Sequence, residues 1–365
     1  MRKDVAGRAM ELGRTLRNVQ RLLSMELHSS QPVPLSKKLW GWRHGFTTNS
    51  TYYYELTPEN IHEYVSDAAR FIRTPRINGP FASALLNKLV FSNLVACCGG
   101  PVPEYYCYAS EGTLLPVGDR YGMNDADGVI AACMTGERFV VKPAGGGGGV
   151  GVRVISSADG KLTINGKAVS EDEFRRFISR LDGALICEFI EQHEYASTIF
   201  PHSTNSIRVI SMWDYDKGEP FIPFAGQRFG RTTSIPTDNI SQGGIPVQVD
   251  VATGELQSGS LTPRGKPPVW LHEHPDTGSR IKGVIVPNWE VATSGLIEIA
   301  RRMPYIPYVG WDIVITSDGF KVIEGNNYPH LGHQIFEPLM RDQRVRAFYE
   351  RFGVVRPITG KKTEV

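Results

Sequence analysis

The sequence has no run approaching the roughly 18 to 20 continuous apolar residues that a membrane helix requires, and its N-terminus lacks the short apolar core of a secretory signal. A cytoplasmic protein without a membrane span is the expectation. Cysteine is scarce: the five residues Cys97, Cys98, Cys107, Cys133 and Cys187 are odd in number and show no paired ligand spacing, which disfavours a disulfide framework and a zinc site. Excess charge is also missing. With 40 Lys and Arg against 38 Asp and Glu, the net +2 offers no field for nucleic acid or another polyanion, so any anion site must be local. There is no Gly-x-Ser-x-Gly elbow, no internal repeat and no low-complexity linker. What remains is a folded chain of 365 residues, 41% hydrophobic and 21% charged, long enough for two or three lobes.

Its organisation follows from periodicity. Residues 1–30 place Arg2, Lys3, Arg8, Arg14, Arg17 and Arg21 among Leu12, Leu16, Val19, Leu22 and Leu23, a basic amphipathic helix. It reads first as a helix packed on the body with a solvated basic face; a membrane-surface or partner role is the other reading. Thr57-Pro58 and the apolar rhythm Ile61, Tyr64, Ala68, Phe71 predict a helix ending before Pro75, and a second helix is expected over Phe81 to Cys98. Short strands follow at Tyr105 to Tyr108, Arg138 to Lys142, Gly151 to Ile155 and Lys161 to Val169, the last folded at Asn165-Gly166. Ser170 and Glu173 form a capping box before a helix, and Ala184 to Ile190 is a strand. Beyond it Ile207 to Trp213, Phe221 to Phe229, Ile245 to Asp250 and Glu255 to Ser260 read as mostly antiparallel strands. A helix over about Asn288 to Arg302 then leads into strands Gly310 to Thr316 and Phe320 to Glu324. The fold class is α+β.

The chemistry concentrates in a few places. Val141-Lys142-Pro143 precedes the run Gly145, Gly146, Gly147, Gly148, Gly149. Glycines let backbone N–H groups approach phosphate oxygens, and a lysine at a strand end supplies a point charge; the alternative is a flexible hairpin tip. A Walker loop is excluded because no Gly-Lys-Ser/Thr follows, and a dinucleotide fingerprint because a strand follows where a helix is required. Asp312, Glu324 and Asn326 sit on two strands joined by Ser317-Asp318-Gly319, hard oxygen donors suited to Mg²⁺ or Mn²⁺ unless they are ordinary strand-end acids. Asn327 is a second candidate. Arg208 and Arg228 lie in strands fit for burial and need an anion, either a carboxylate or a phosphate. The stretch from Asp238 and Asn239 to Gly243-Gly244 is a substrate loop or a long turn. His272 and His274 have no third ligand at metal spacing, and Cys187 reads as core.

In order, these motifs resemble the ATP-grasp superfamily, and residues 87–334 are similar to its sugar-transfer-associated branch, related to α-L-glutamate ligases. The series runs Asn87-Lys88, Val141-Lys142-Pro143 with its glycine loop, Cys187-Glu188-Phe189-Ile190-Glu191-Gln192-His193, Asn205 to Arg208, Asp238-Asn239 to Gly243-Gly244, His274 to Gly278, Gly310-Trp311-Asp312 and Glu324-Gly325-Asn326. The resemblance implies two α+β lobes clamping Mg-ATP. It further implies that Lys88 and Lys142 contact phosphates and that the glycine loop closes over them. Glu188, Phe189 and Ile190 would offer backbone groups to adenine, with Glu191 or Glu194 near the ribose. Asp312, Glu324 and Asn326 would hold the metal while Arg208 steadies the transferred phosphate, and Arg228, Asn239, Gly243 and Gly244 are expected around the substrate.

The implied domains are an N-terminal helical extension (1–56), a pre-ATP-grasp region (57–135), a small lobe (136–192) and a large lobe (193–365). The implied reaction joins a small carboxylate, an amino acid or sugar acid among the candidates, to an amine through an acylphosphate, releasing ADP and phosphate. Two other outcomes fit the same motifs: phosphorylation of a sugar or polyol hydroxyl, and nucleotide binding without turnover.

Overall fold

The computed structural model describes residues 5–117 and 122–357. The N-terminal helix α1 (Val5–Leu27) covers most of the expected span, and residues 1–4 lie outside the described ones. Helices α2 (Leu35–Arg43) and α3 (Thr48–Tyr53) follow, and Phe46, Tyr54 and Leu56 form a small core beneath them.

Two helix expectations need correction. From Thr57 to Phe71 no α-helix longer than two residues forms: there is a 3₁₀ turn at Ile61–Glu63, extended backbone at Tyr64 and a short helical start at 67–68 that runs into a π turn at Ala69–Arg73. Asn60 Oδ1 takes the Thr57 N–H at 2.8 Å, and the Gln334 side chain takes both the N–H and C=O of Val65 at 2.8 and 3.1 Å. At Val65 a partner distant in sequence thus replaces the helical ladder. The second helix is split as well. Gly79–Leu86 is 3₁₀, Asn87 is extended, and α4 spans Lys88–Cys97 with the Asn87 side chain accepting from the N–H groups of Leu89 and Val90.

Strands β1 (Tyr105–Ser110) and β2 (Thr113–Pro116), helix α5 (Ala126–Met134), β3 (Phe139–Pro143), β4 (Arg153–Ala158), β5 (Lys161–Ile164), β6 (Lys167–Ala168), helix α6 (Glu171–Ser179) and β7 (Ala184–Glu188) make the first layer pair. The sheet runs β2-β1-β7-β3-β4-β5-β6, and every pairing is antiparallel. Asn165 and Gly166 both adopt positive φ in the expected hairpin, and the Ser170–Glu173 capping box starts α6. Strand β4 begins two residues later than expected. Because β1 and β2 precede residue 136, this sheet crosses the expected 135/136 division.

Helix α7 (Glu194–Ile199) leads to β8 (Ile207–Asp214), β9 (Glu219–Phe229), β10 (Ile245–Val249), β11 (Leu256–Leu261) and β12 (Val269–Leu271). Then come α8 (Trp289–Arg302), β13 (Tyr308–Thr316), β14 (Gly319–Asn326) and α9 (Gln343–Arg351). The second sheet is ordered β12-β11-β10-β9-β8-β13-β14, again antiparallel throughout. Phe91 and Val95 of α4 and Leu296 and Ile299 of α8 pack with Trp311, Ile313 and Ile315 on one face. Part of the other face carries Ile210, Met212 and Tyr308, covered by Val345, Phe348 and Tyr349 of α9. The rest of that second face holds the site.

Candidate active site

Strand β13 is buried along its whole length, and β14 pairs with it so that Asp312 lies opposite Glu324 and Gly310 opposite Asn326, with a register shift after Asp312. On the other side of β13, Arg208 of β8 lies directly opposite Asp312. Asp312 is only 1% exposed, a burial that a carboxylate tolerates only with cations against it. Two are present. Arg208 donates through Nε and Nη2, the latter 3.1 Å from Oδ2, and Nη2 of Arg228 is also 3.1 Å from Oδ2. Burial alone would raise the Asp312 pKa, but Arg208 and Arg228 outweigh it and hold the carboxyl well below its usual range.

Glu324 behaves in the opposite way. Burial and then the nearby Asp312 charge push its carboxyl up, while Lys88, with Nζ 3.6 Å from Oε2, partly opposes them. Asn326 Nδ2 donates to Gly310 O at 3.2 Å, which leaves its Oδ1 as a further donor atom beside the two acids. Asn327 is decided against as a ligand. Its amide is used on both sides, Oδ1 accepting from Asn78 and Nδ2 donating to Pro75 O, each at 2.9 Å. Among the described residues no three of His, Cys, Asp and Glu converge. His274 is buried, bonded to Gly230 O at 2.8 Å and stacked on Phe200.

The first sheet brings the glycine loop to this point. Asn87 bridges Gly145, the Lys88 N–H donates to Ala144 O at 2.8 Å, and Lys88 Nζ donates to Gly146 O at 2.7 Å. The helix break that the sequence concealed therefore sets Lys88 between the loop and Glu324. Gly146, Gly148 and Gly149 have positive φ, a region L-residues rarely enter. The loop is tied to the second sheet: Gln242 donates to Gly148 O at 2.8 Å, and a Cβ on Gly149 would stand 2.8 Å from Thr237. Lys142 at the end of β3 is 8% exposed and has no carboxylate partner among the described residues, while the nearby Tyr105 hydroxyl is buried without a hydrogen-bond partner. Burial lowers the Lys142 pKa, but Cys187, Tyr105 and Glu324 outweigh it and hold the ammonium charged, able to take a phosphate.

Other expected site residues are placed differently. The Glu188 carboxylate is used by Lys321 of β14, with Nζ 2.5 and 2.6 Å from its oxygens, and by the Glu104 N–H, and its own N–H donates to Glu104 O at 2.9 Å. Phe189 lies under Arg138, Ile190 is buried, Glu191 pairs with Arg138 at the surface, and Glu194 opens α7 exposed. Arg228 is held by Ser206, Asp238 and Asp312 and steadies the acids rather than reaching outward. Asn239 caps a 3₁₀ turn through Ser241, and a Cβ on Gly244 would collide with Asp238 O at 2.3 Å, so Asn239, Gly243 and Gly244 shape the loop that meets the glycines. Sequence reasoning missed Lys321, Ser206 and Gln242. It also missed a wall beyond Arg208. There His333 stacks 3.6 Å from Phe224 with Nε2 unpartnered, and Arg70, 8% exposed, donates Nε to Pro329 O at 3.0 Å without a carboxylate partner among the described residues. The signal for Arg70 was an arginine inside an otherwise apolar segment.

The profile of sugar-transfer associated ATP-grasp matches residues 69–346. The chain belongs to this ATP-grasp family. Two seven-stranded antiparallel sheets with helices on their faces are its version of the fold. No curated protein matches the sequence. Among solved structures it is similar to an ADP complex of PurK, N5-carboxyaminoimidazole ribonucleotide synthetase, at 15% identity and TM-score 0.41, over 73% of this chain and 52% of that one. It is also similar to the ATP-grasp ligase PsnB with a precursor variant, Mg and ADP, at 16% identity and TM-score 0.39, over 74% and 61%. A third is the biotin carboxylase domain of the Hydrogenobacter thermophilus 2-oxoglutarate carboxylase, at 16% and 0.38, over 73% and 45%. The chain thus spans 45 to 61% of the length of these three solved chains.

Proposed function

We propose that this ATP-grasp protein is an ATP-dependent carboxylate–amine ligase. The observation that carries the reading is the set of cations, Lys88, Lys142, Arg208 and Arg228, gathered around the buried Asp312 and the half-buried Glu324, with Lys142 in no salt bridge among the described residues. Lys142 and Lys88 would hold the nucleotide phosphates under the glycine loop, and the backbone of Glu188 to Ile190 would face adenine. Asp312, Glu324 and Asn326 fit Mg²⁺ or Mn²⁺, because such ions take one or two carboxylates and complete their shell with nucleotide oxygens. The bound ion would neutralise charge on the phosphoryl oxygens.

Each step assigns work to the chain's own residues. Arg208 steadies the γ-phosphoryl group while a substrate carboxylate oxygen attacks it; the bond to the β-phosphate oxygen breaks, giving an acylphosphate and ADP. The loops 145–149 and 237–243, tied through Gln242, exclude water. The amine then adds to the acyl carbon and expels phosphate, losing a proton and leaving an amide. Arg70 and His333, beyond Arg208, supply a wall suited to an anionic acceptor, a task that Arg228 is too occupied to perform.

Positional isotope exchange tests the first half-reaction. ATP labelled with ¹⁸O in its β nonbridging positions is incubated with Mg²⁺ and a pool of amino acids and sugar acids, without amine. Scrambling of label into the β–γ bridge is expected, and should disappear in Glu324→Gln; a product phosphorylated on a hydroxyl would replace this reading with a kinase.

A further inference from the structure

The first 44 residues carry nine Lys and Arg against three Asp and Glu, whereas the remainder carries 31 against 35. All the chain's positive excess sits at this end. Here too α1 and α2 each turn an apolar stripe to solvent. Leu16, Leu23 and Leu27 on α1 are 56, 59 and 83% exposed; Leu35, Leu39 and Trp42 on α2 are 68, 52 and 44%. Spacings of four, three and seven put each trio on one helical face.

The opposite faces are anchored. Asn18 donates to Phe71 O at 2.7 Å, Glu26 accepts from the N–H and hydroxyl of Thr48, and Gly41 packs so tightly on Thr51 that a Cβ would meet its hydroxyl at 2.3 Å. Their inner faces are therefore fixed and the leucines point outward. Arg17, Arg21 and Arg43 are exposed, and neither they nor Lys38 has a carboxylate partner among the described residues.

We propose that this end docks on an anionic lipid surface, as a peripheral element lying in the interface. Leucines flanked by bases without a carboxylate partner among the described residues suit that boundary, where acyl chains take the apolar stripe, headgroup phosphates take the cations, and an edge tryptophan sits at headgroup depth. A second copy of the chain is a poorer occupant, since a two-fold contact through this face would bring the two basic segments together. The proposal is independent of the reaction catalysed.

The test is cosedimentation of the full chain with vesicles of phosphatidylcholine alone and of phosphatidylcholine mixed with phosphatidylglycerol. Binding to the mixed vesicles is expected to be at least about tenfold tighter than to phosphatidylcholine, and to weaken with salt. The Leu23→Glu/Leu39→Glu variant should bind at least about tenfold more weakly, with circular dichroism and Tm unchanged because both positions are exposed. Quenching by brominated lipid should be larger for the parent than for Trp42→Phe. Absence of binding, equal binding to both vesicle types, an unimpaired double variant, or a solution dimer that the variant dissolves would each overturn the proposal.

Discussion

At Lys142 a cation is buried without a salt bridge among the described residues, and at Asp312 an anion is buried between two arginines. Lys142→Met removes a charge that Cys187, Tyr105 and Glu324 favour against the cost of burial, so thermal unfolding without nucleotide should shift downward or stay level, while the stabilisation conferred by Mg-ADP is lost. Asp312→Asn leaves Arg208 and Arg228 facing each other without their shared anion, and should cost about 3 kcal/mol in denaturant unfolding. Glu324 predicts a pH dependence. Its folded pKa is raised above the ordinary 4.5, so its contribution to stability is present below that value and lost as pH rises through the folded pKa. Asp312 is depressed, so its contribution is present above the ordinary 3.8 and lost on acidification. Metal-free protein should therefore lose stability on the alkaline side of 4.5, Mg-nucleotide should restore it there, and Glu324→Gln should flatten that limb in Tm measured against pH. Residue types in sequence revealed the acids, the lysine after β3 and the buried arginines. What they concealed was pairing, because whether Arg228 meets a substrate or Asp238 depends on a loop distant in sequence.

Among the elements, the break before α4 matters most. Apolar spacing alone made Phe81 to Cys98 one helix, yet Asn87 interrupts it to bridge Gly145 and to cap α4. Asn87→Ala should destabilise the protein by about 1 kcal/mol and weaken Mg-ADP binding through the displaced Lys88, both measurable in one thermal-shift titration. Gly325, between Glu324 and Asn326, lies under Phe91 of α4, where a Cβ would come within 2.4 Å of the ring. Gly325→Ala should cost about 1 to 3 kcal/mol in denaturant unfolding, because α4 must move off β14. Strands and capped helices were legible where the chemistry is local, as at Asn165-Gly166 and Ser170-Glu173. The segment 57–73 was not, since the Val65 backbone is bonded to Gln334 and the Asp67 side chain accepts from the Thr47 N–H, partners that lie outside the segment.

Across the whole molecule, two antiparallel sheets meet through few side chains: Lys88 with Glu324, Gln242 with Gly148, and Lys321 with Glu188. Among the described residues no helix is long and apolar enough to cross a membrane. The α+β class and the order of motifs were readable because each motif is contiguous, whereas the joining of β1 and β2 to the glycine-loop sheet needed the third dimension. The most direct measurement is ADP and phosphate release with Mg-ATP across pooled carboxylates and amines, with mass spectrometry of the products. The ligase account predicts release that requires both substrates, yields an amide mass and vanishes in Lys142→Met and Glu324→Gln. ADP formed together with a phosphorylated alcohol, or turnover that survives both substitutions, would contradict it.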